Sequence, residues 1–234
     1  MEMGSNEGNS VSTSDSANTY FDSRLKFDNK RFVLWSALWD FSLSRIMKDC
    51  GSILELGAGW CDFINNAKAP RRVAVDLWPG ITAAAADGVE VHVGPAEDLG
   101  FLQDESIDAV FASNLVEHLT HEQFDAILGE ASRVLTPGGK VVLIQPNYRL
   151  SYKRYFDDFT HVSMWTEVSL ADFLTSRGWI VDRAQARFMP FSVKSRLPVS
   201  RLLIRCYLAS PFKPLAGQML LVAHKGTRAK GQSK

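Results

Sequence analysis

The chain has 234 residues, 46% of them hydrophobic and 22% charged, with 26 basic and 26 acidic side chains. That is ordinary globular composition, in a length that suits one α/β domain with a sizeable core. Cys50, Cys61 and Cys206 are too widely spaced for a disulfide framework or a metal-ligand pattern, and no apolar run reaches the roughly 18 residues of a membrane-spanning helix. A reducing, cytoplasmic setting and no metal site are therefore expected.

The first 19 residues are rich in Ser, Asn, Gly and Thr and lack the basic and apolar regions of a secretory signal, so disorder is expected there. Residues 28–49 place Phe32, Leu34, Trp35, Leu38, Trp39, Leu43, Ile46 and Met47 at helical spacing, with Asp28 as a cap. Ser52–Leu56 reads as a short buried strand, followed by a glycine turn and a helix over 60–68. Val73–Asp76, Val89–Val93 and Ile107–Ser113 are the next three strands, and residues 121–135 carry Phe124, Ile127, Leu128, Ala131 and Leu135 on one helical face. Pro137-Gly138-Gly139 punctuates before a fifth strand, Lys140–Gln145. A helix over 167–177 closes at Gly178, Ile180–Ala184 is the sixth strand and Gln218–His224 the seventh.

Strands alternating with helices predict an α/β fold, a mostly parallel sheet with helices on both faces. Ligands of such sheets sit beyond the carboxyl ends of the strands, where Glu55, Asp76, Ser113 and Asn114 converge. The net charge of zero hides a basic end: eleven Lys and Arg and no acid follow Asp182. A solvated basic face accounts for this pattern; the alternative is peripheral contact with an anionic or membrane surface through residues 183–213. Within that stretch, residues 199–208 fit a short amphipathic helix with Arg201 and Arg205 four apart.

ELGAGWC (Glu55–Cys61), VAVDLWP (Val73–Pro79), GPAEDL (Gly94–Leu99), and SIDAVFASNLVEHL followed by RVLTPGGKVVLIQPN occur in one order and at set distances. This series resembles the class I S-adenosylmethionine-dependent methyltransferases of the type 11 and type 12 bacterial group, over about residues 50–186. The resemblance implies a doubly wound seven-stranded sheet in the order 3-2-1-4-5-7-6, its last strand antiparallel. It implies one domain over residues 20–226, with acceptor-side or lid insertions near 147–166 and 188–215 and a basic tail over 227–234. Two positions depart from the family pattern. Cys61 replaces the third glycine of the first motif, where a small packing side chain is expected, and Pro95 stands where an acid usually meets the adenine, a role left to Glu97 or Asp98.

Carried over from the family, Gly57, Ala58 and Gly59 would let backbone pass beside the methionine moiety, and Glu55 would bind its ammonium group directly or through water. Asp76 would accept from both ribose hydroxyls, a task suited to paired carboxylate oxygens. Leu77, Ala96 and Glu97 complete the adenosine side, and Ser113 and Asn114 the methionine side. The cofactor supplies the activated methyl; the protein supplies alignment and exclusion of water.

A hydroxyl or amine acceptor can also need a base, for which His118 and His161 are the catalytic candidates, each weighed against a packing role. The expected activity is methyl transfer to a small-molecule, sugar or lipid-linked acceptor, with oxygen favoured as the accepting atom. No Asn/Asp-Pro-Pro-aromatic motif follows the fourth strand, so a nucleic-acid substrate is not expected. The alternatives are a cofactor-binding relative without turnover and a dinucleotide-dependent oxidoreductase, which shares the glycine turn and the ribose-binding acid.

Overall fold

Five consecutive buried residues form β1 (Ser52–Leu56), as befits a strand covered on both faces. The computed structural model describes residues 28–190 and 200–226. The expectations for residues 1–19, the 227–234 tail and the centre of the 188–215 segment fall outside these. β1 pairs in parallel with β2 (Arg71–Asp76) and β4 (Ile107–Ser113); β2 also pairs with β3 (Val89–Val93), and β4 with β5 (Leu135–Pro146). β7 (Ala216–Lys225) runs antiparallel between β5 and β6 (Trp179–Pro190), giving the order β3-β2-β1-β4-β5-β7-β6. This is the expected seven-stranded doubly wound sheet.

Alternation along the strands divides the core in two. Leu54, Leu56, Val73, Val110 and Leu143 point to one face, covered by Phe124, Ile127, Leu128 and Ala131 of α3 (His121–Val134) and by Leu170 and Leu174 of α5 (Glu167–Ser176). Ile53, Ala74, Phe111, Val142 and Ile144 point to the other, under Leu34, Trp35 and Leu38 of α1 (Asn29–Leu38). Phe63 stacks on Phe111 there with centroids 3.7 Å apart, and Trp35 meets Phe111 edge-on. Asp28 caps α1 through Lys30 N, and the helix continues through a π-helical stretch, Trp39–Leu43, and a last turn, Ser44–Ile46. A capping box of Thr120 and Gln123 opens α3. Gly178 ends α5 with φ +81°, a left-handed conformation glycine takes without steric cost.

Two local differences from the sequence expectation have physical causes. Residues 59–66 form successive turns instead of the expected helix over 60–68. The Ile64 N–H is taken by the Glu55 carboxylate at 3.0 Å, and Cys61 sits at φ +56°, outside helical conformation. The strand β5 begins at Leu135, not Lys140: Pro137–Gly139 is absorbed as a bulge, with Gly138 at φ +80° and the register against β4 shifting between Ile107 and Ala109. A short helix, α2 (Ile81–Ala84), follows β2, and α4 (Tyr148–Ser151) opens the segment after β5.

Asp108 fastens the amino ends of the central strands. Its carboxylate accepts from Gly51 N, Ser52 N, Ser52 Oγ and Thr136 Oγ1 at 2.8–3.1 Å. Partial burial works to raise its pKa, but these donors outweigh it and hold the carboxyl below the usual range. A depressed acid stabilises the fold above its unfolded pKa, and that contribution disappears as pH falls through the lower folded value. Asp108→Ala should therefore cost about 1–3 kcal/mol at pH 7. Urea unfolding should show the gap between the two chains narrowing at about pH 3, below the ordinary aspartate pKa.

Candidate active site

The carboxyl ends of β1, β2 and β4 meet around a turn of left-handed residues. Gly57, Gly59 and Cys61 have φ of +65°, +51° and +56°, and Asn114 beyond β4 has +50°. A Cβ on Gly57 would lie 3.0 Å from Leu115 Cδ1, so glycine lets the loop after β4 close against the turn. Cys61 occupies the third position of the motif with its side chain fully buried, so a small side chain fits there. Burial, followed by the charges of Glu55, Asp76 and Asp62, pushes its thiol pKa far up, which suits packing and not nucleophilic chemistry.

Asp76 is the junction of the turn and β2. Its Oδ2 accepts from Gly59 N at 2.7 Å and its Oδ1 from Trp78 N at 2.8 Å. Burial raises its pKa, opposed by backbone N–H donors from Trp78, Gly59 and Leu77. Ala58 N donates to Val75 O at 3.1 Å, which fixes the turn to the same strand. The rings of Trp60 and Trp78 meet edge-on at 4.7 Å, and a Cβ on Gly80 would collide with the Trp78 ring. These two tryptophans frame Asp76 from either side in sequence, a feature the motif spacing did not reveal.

Glu55 is 5% exposed and turned toward Ile64 N. Burial carries its pKa well above the ordinary glutamate value, against the lowering effect of that one backbone donor. Leu77 is exposed, and Ala96 and Glu97 are half-buried on the loop after β3. Asp98 spends its Oδ1 on Gly100 N at 3.0 Å. Ser113 Oγ accepts from Asn114 Nδ2 at 3.0 Å, while Asn114 Oδ1 accepts from Gln218 Nε2 of β7 at 2.7 Å. Gln145, fully buried at the end of β5, holds the loop after β4 through Leu115 N and Val116 N at 3.1 and 3.3 Å.

His118 and His161, far apart in sequence, stand with ring centroids 4.9 Å apart. They are joined because the Glu117 carbonyl accepts from Val162 N and Ser163 N at 2.9 and 3.1 Å. His118 Nδ1 lies 3.2 Å from Thr160 O and 3.0 Å from Thr160 Oγ1, and that hydroxyl donates to Asp158 at 2.6 Å. Burial, then the neighbouring His161, lowers the His118 pKa to about 4; burial lowers that of His161 as well. Glu117 lies beside them, 1% exposed, its pKa pushed up to about 8 by burial. Sequence reasoning passed over Glu117, although an acid inside the apolar run NLVEHL was a signal. In the chain segment that carries His161, Tyr152, Phe156, Phe159, Val162 and Met164 are exposed.

A glycine cradle against a strand-end carboxylate, on a sheet of this order, defines a class I methyltransferase fold. Residues 54–143 match the family model described as methyltransferase domain. The matched segment is a methyltransferase domain, and the fold is that of S-adenosylmethionine-dependent methyltransferases, whose methyl donor is S-adenosylmethionine. No curated protein matches the chain. Among solved structures, an S-adenosylmethionine-dependent methyltransferase from Archaeoglobus fulgidus is 18% identical over 90% of this chain and 100% of its own, with a TM-score of 0.62. An S-adenosylmethionine-dependent methyltransferase from Thermotoga maritima is 19% identical over 90% of this chain and 95% of its own, with a TM-score of 0.62. A complex of DhpI with SAM and HEP is 19% identical over 92% of this chain and 99% of its own, with a TM-score of 0.57. At these identities the likeness concerns the fold.

Burial of Glu55 has a measurable consequence. An acid whose pKa is raised by folding holds its proton more tightly in the native state, so stability falls as pH rises above the unfolded value of about 4.3. Glu55→Gln keeps an acceptor for Ile64 N without the buried charge. Its melting temperature relative to the parent should rise between pH 5 and pH 8; a constant difference would remove the buried charge from the account.

Proposed function

We propose that this methyltransferase methylates a hydroxyl oxygen of an acceptor with an apolar, lipid-linked portion. The observation that carries this reading is the Glu117–His118–His161 cluster together with exposed Phe156, Phe159 and Val162 in the same chain segment as His161. Exposed apolar side chains near the cluster favour an acceptor with hydrocarbon to bury, and its imidazoles favour an acceptor that must lose a proton. Phe212 and Leu215, also exposed, precede β7, whose first residues pair with the carboxyl end of β5, and Arg205 and Lys213 belong to the same stretch of chain. That neighbourhood supports contact with a lipid-borne substrate through an apolar patch and positive charge.

On the cofactor side, each Asp76 oxygen accepts one of the two backbone N–H bonds described and retains capacity for a ribose hydroxyl. Gly57, Ala58 and Gly59 would carry backbone past the methionine moiety, with Ser113 and Asn114 opposite. Glu55 would reach the ammonium group through water, given its own orientation toward Ile64. Leu77, Ala96 and Glu97 would line the adenosine, Glu97 being favoured for the adenine because Asp98 is engaged by Gly100. His161 and His118 would act at the accepting oxygen. Methyl transfer then needs in-line alignment of sulfur, methyl and oxygen.

Calorimetry with S-adenosylhomocysteine and with NADH separates this reading from a dinucleotide enzyme. Asp76→Ala should weaken S-adenosylhomocysteine binding at least about tenfold, through lost ribose hydrogen bonds; unchanged affinity would take Asp76 out of the site. For the acceptor, release of S-adenosylhomocysteine should be measured with paired hydroxyl compounds that differ only in a lipid tail. The lipid-bearing partner should turn over faster, and equal rates would remove the apolar portion from recognition. His161→Ala should lower turnover with cofactor affinity nearly unchanged, and undiminished turnover would leave His161 a packing residue.

A further inference from the structure

We propose that Glu117, His118 and His161 together bind one divalent transition-metal ion, at the acceptor end of the site. Each offers one ligand atom, and the three atoms lie within 4.8 Å of one another. Two come from the 3-10 turn Val116–His118 after β4 and the third from the segment after β5, so the fold brings them together and local sequence does not.

Two of the three ligand atoms are orphaned in a way that asks for a cation. Glu117 Oε2 and His161 Nδ1 are buried and have no hydrogen-bond partner, on side chains 1% and 9% exposed. A buried carboxylate oxygen and a buried imidazole nitrogen without partners are costly to fold, and a coordinated cation would satisfy both. His118 is also oriented from behind. Its Nδ1 faces the carbonyl and hydroxyl of Thr160. A ring N–H given to a backbone carbonyl fixes the tautomer and turns the other nitrogen's lone pair inward, as in many metal-bound histidines. Asp158, bonded to Thr160 through both its hydroxyl and its N–H, supports that outer layer.

Two imidazoles and one carboxylate suit zinc, cobalt, iron or manganese better than calcium or magnesium, which favour all-oxygen sets. Three protein ligands leave at least one coordination position open. Given the acceptor-end reading above, on which this role rests, that position would take the acceptor oxygen. The cation would lower the pKa of the bound hydroxyl, whose proton passes to solvent. The oxygen then forms its bond to the methyl carbon as the carbon–sulfur bond breaks and S-adenosylhomocysteine leaves. His118 and His161 would thus serve as ligands that activate the acceptor through the ion.

The test is direct binding, with neither acceptor nor turnover involved. The full chain, stripped with chelator, is titrated with Co²⁺ and followed by visible absorption. One Co²⁺ per chain should give d–d bands that Zn²⁺ bleaches. Glu117→Gln and His161→Ala should each weaken Co²⁺ by at least about tenfold. His224→Ala, at the surface pair with Asp182, should match the parent. Zn²⁺ should also raise the melting temperature of the parent, a readout that needs no variant to fold. Absent bands, bands unchanged in both variants, or no thermal shift would overturn the proposal. Retained S-adenosylhomocysteine binding in the stripped chain would then leave the methyltransferase reading standing while the metal site falls.

Discussion

The carboxylate of Asp76 holds together the part of the molecule that the rest serves. One oxygen receives the N–H of the glycine turn and the other receives the N–H of the residue two positions beyond itself. The turn after β1 and the turn after β2 are thereby a single rigid unit. Left-handed conformations at Gly57, Gly59 and Cys61 give that unit its sharp path, and only glycine takes them without steric cost. Cys61 meets that cost within a fully packed environment. The central strands, buried on both faces, keep the unit from relaxing.

Three acids near this edge are used in different ways. Asp76 is met by several backbone donors and remains partly open. Glu55, almost wholly enclosed, has one backbone donor, and its carboxylate interrupts the helix that the sequence pattern favours after the turn. Glu117 is enclosed with one oxygen unsatisfied. The series shows why burial alone does not define a role. What each acid can do depends on how many donors reach it and on which groups lie opposite.

Much of the fold was legible because it is local. Strands β1, β3 and β4 have the expected limits, since β1 and β4 are mostly apolar runs and β3 alternates apolar with polar residues, each bounded by turn residues. Helices α3 and α5 followed from spacing and caps. Strand order did not follow from periodicity, which says nothing of neighbours; it came from the motif series and its resemblance to a known fold. Glu55, Asp76, Ser113 and Asn114 were singled out in the sequence because strand ends of a parallel sheet converge. Gln145, the tryptophan pair and the approach of His161 to His118 were not visible. Each depends on side chains brought together from separate elements, or on a ring orientation that composition does not encode. The helix over 60–68 was misjudged because a distant carboxylate captured one of its N–H groups.

The antiparallel insertion of β7 has a consequence for how the molecule comes into being. Gln218, near the start of that strand, grips Asn114, and β7 separates β5 from β6 along the sheet. A nascent chain can assemble β1 to β4 and their cradle early. The Asn114 side chain acquires its partner only once β7 has been made and inserted. The loop after β4 is in that sense finished by a strand that pairs with neither β1 nor β2.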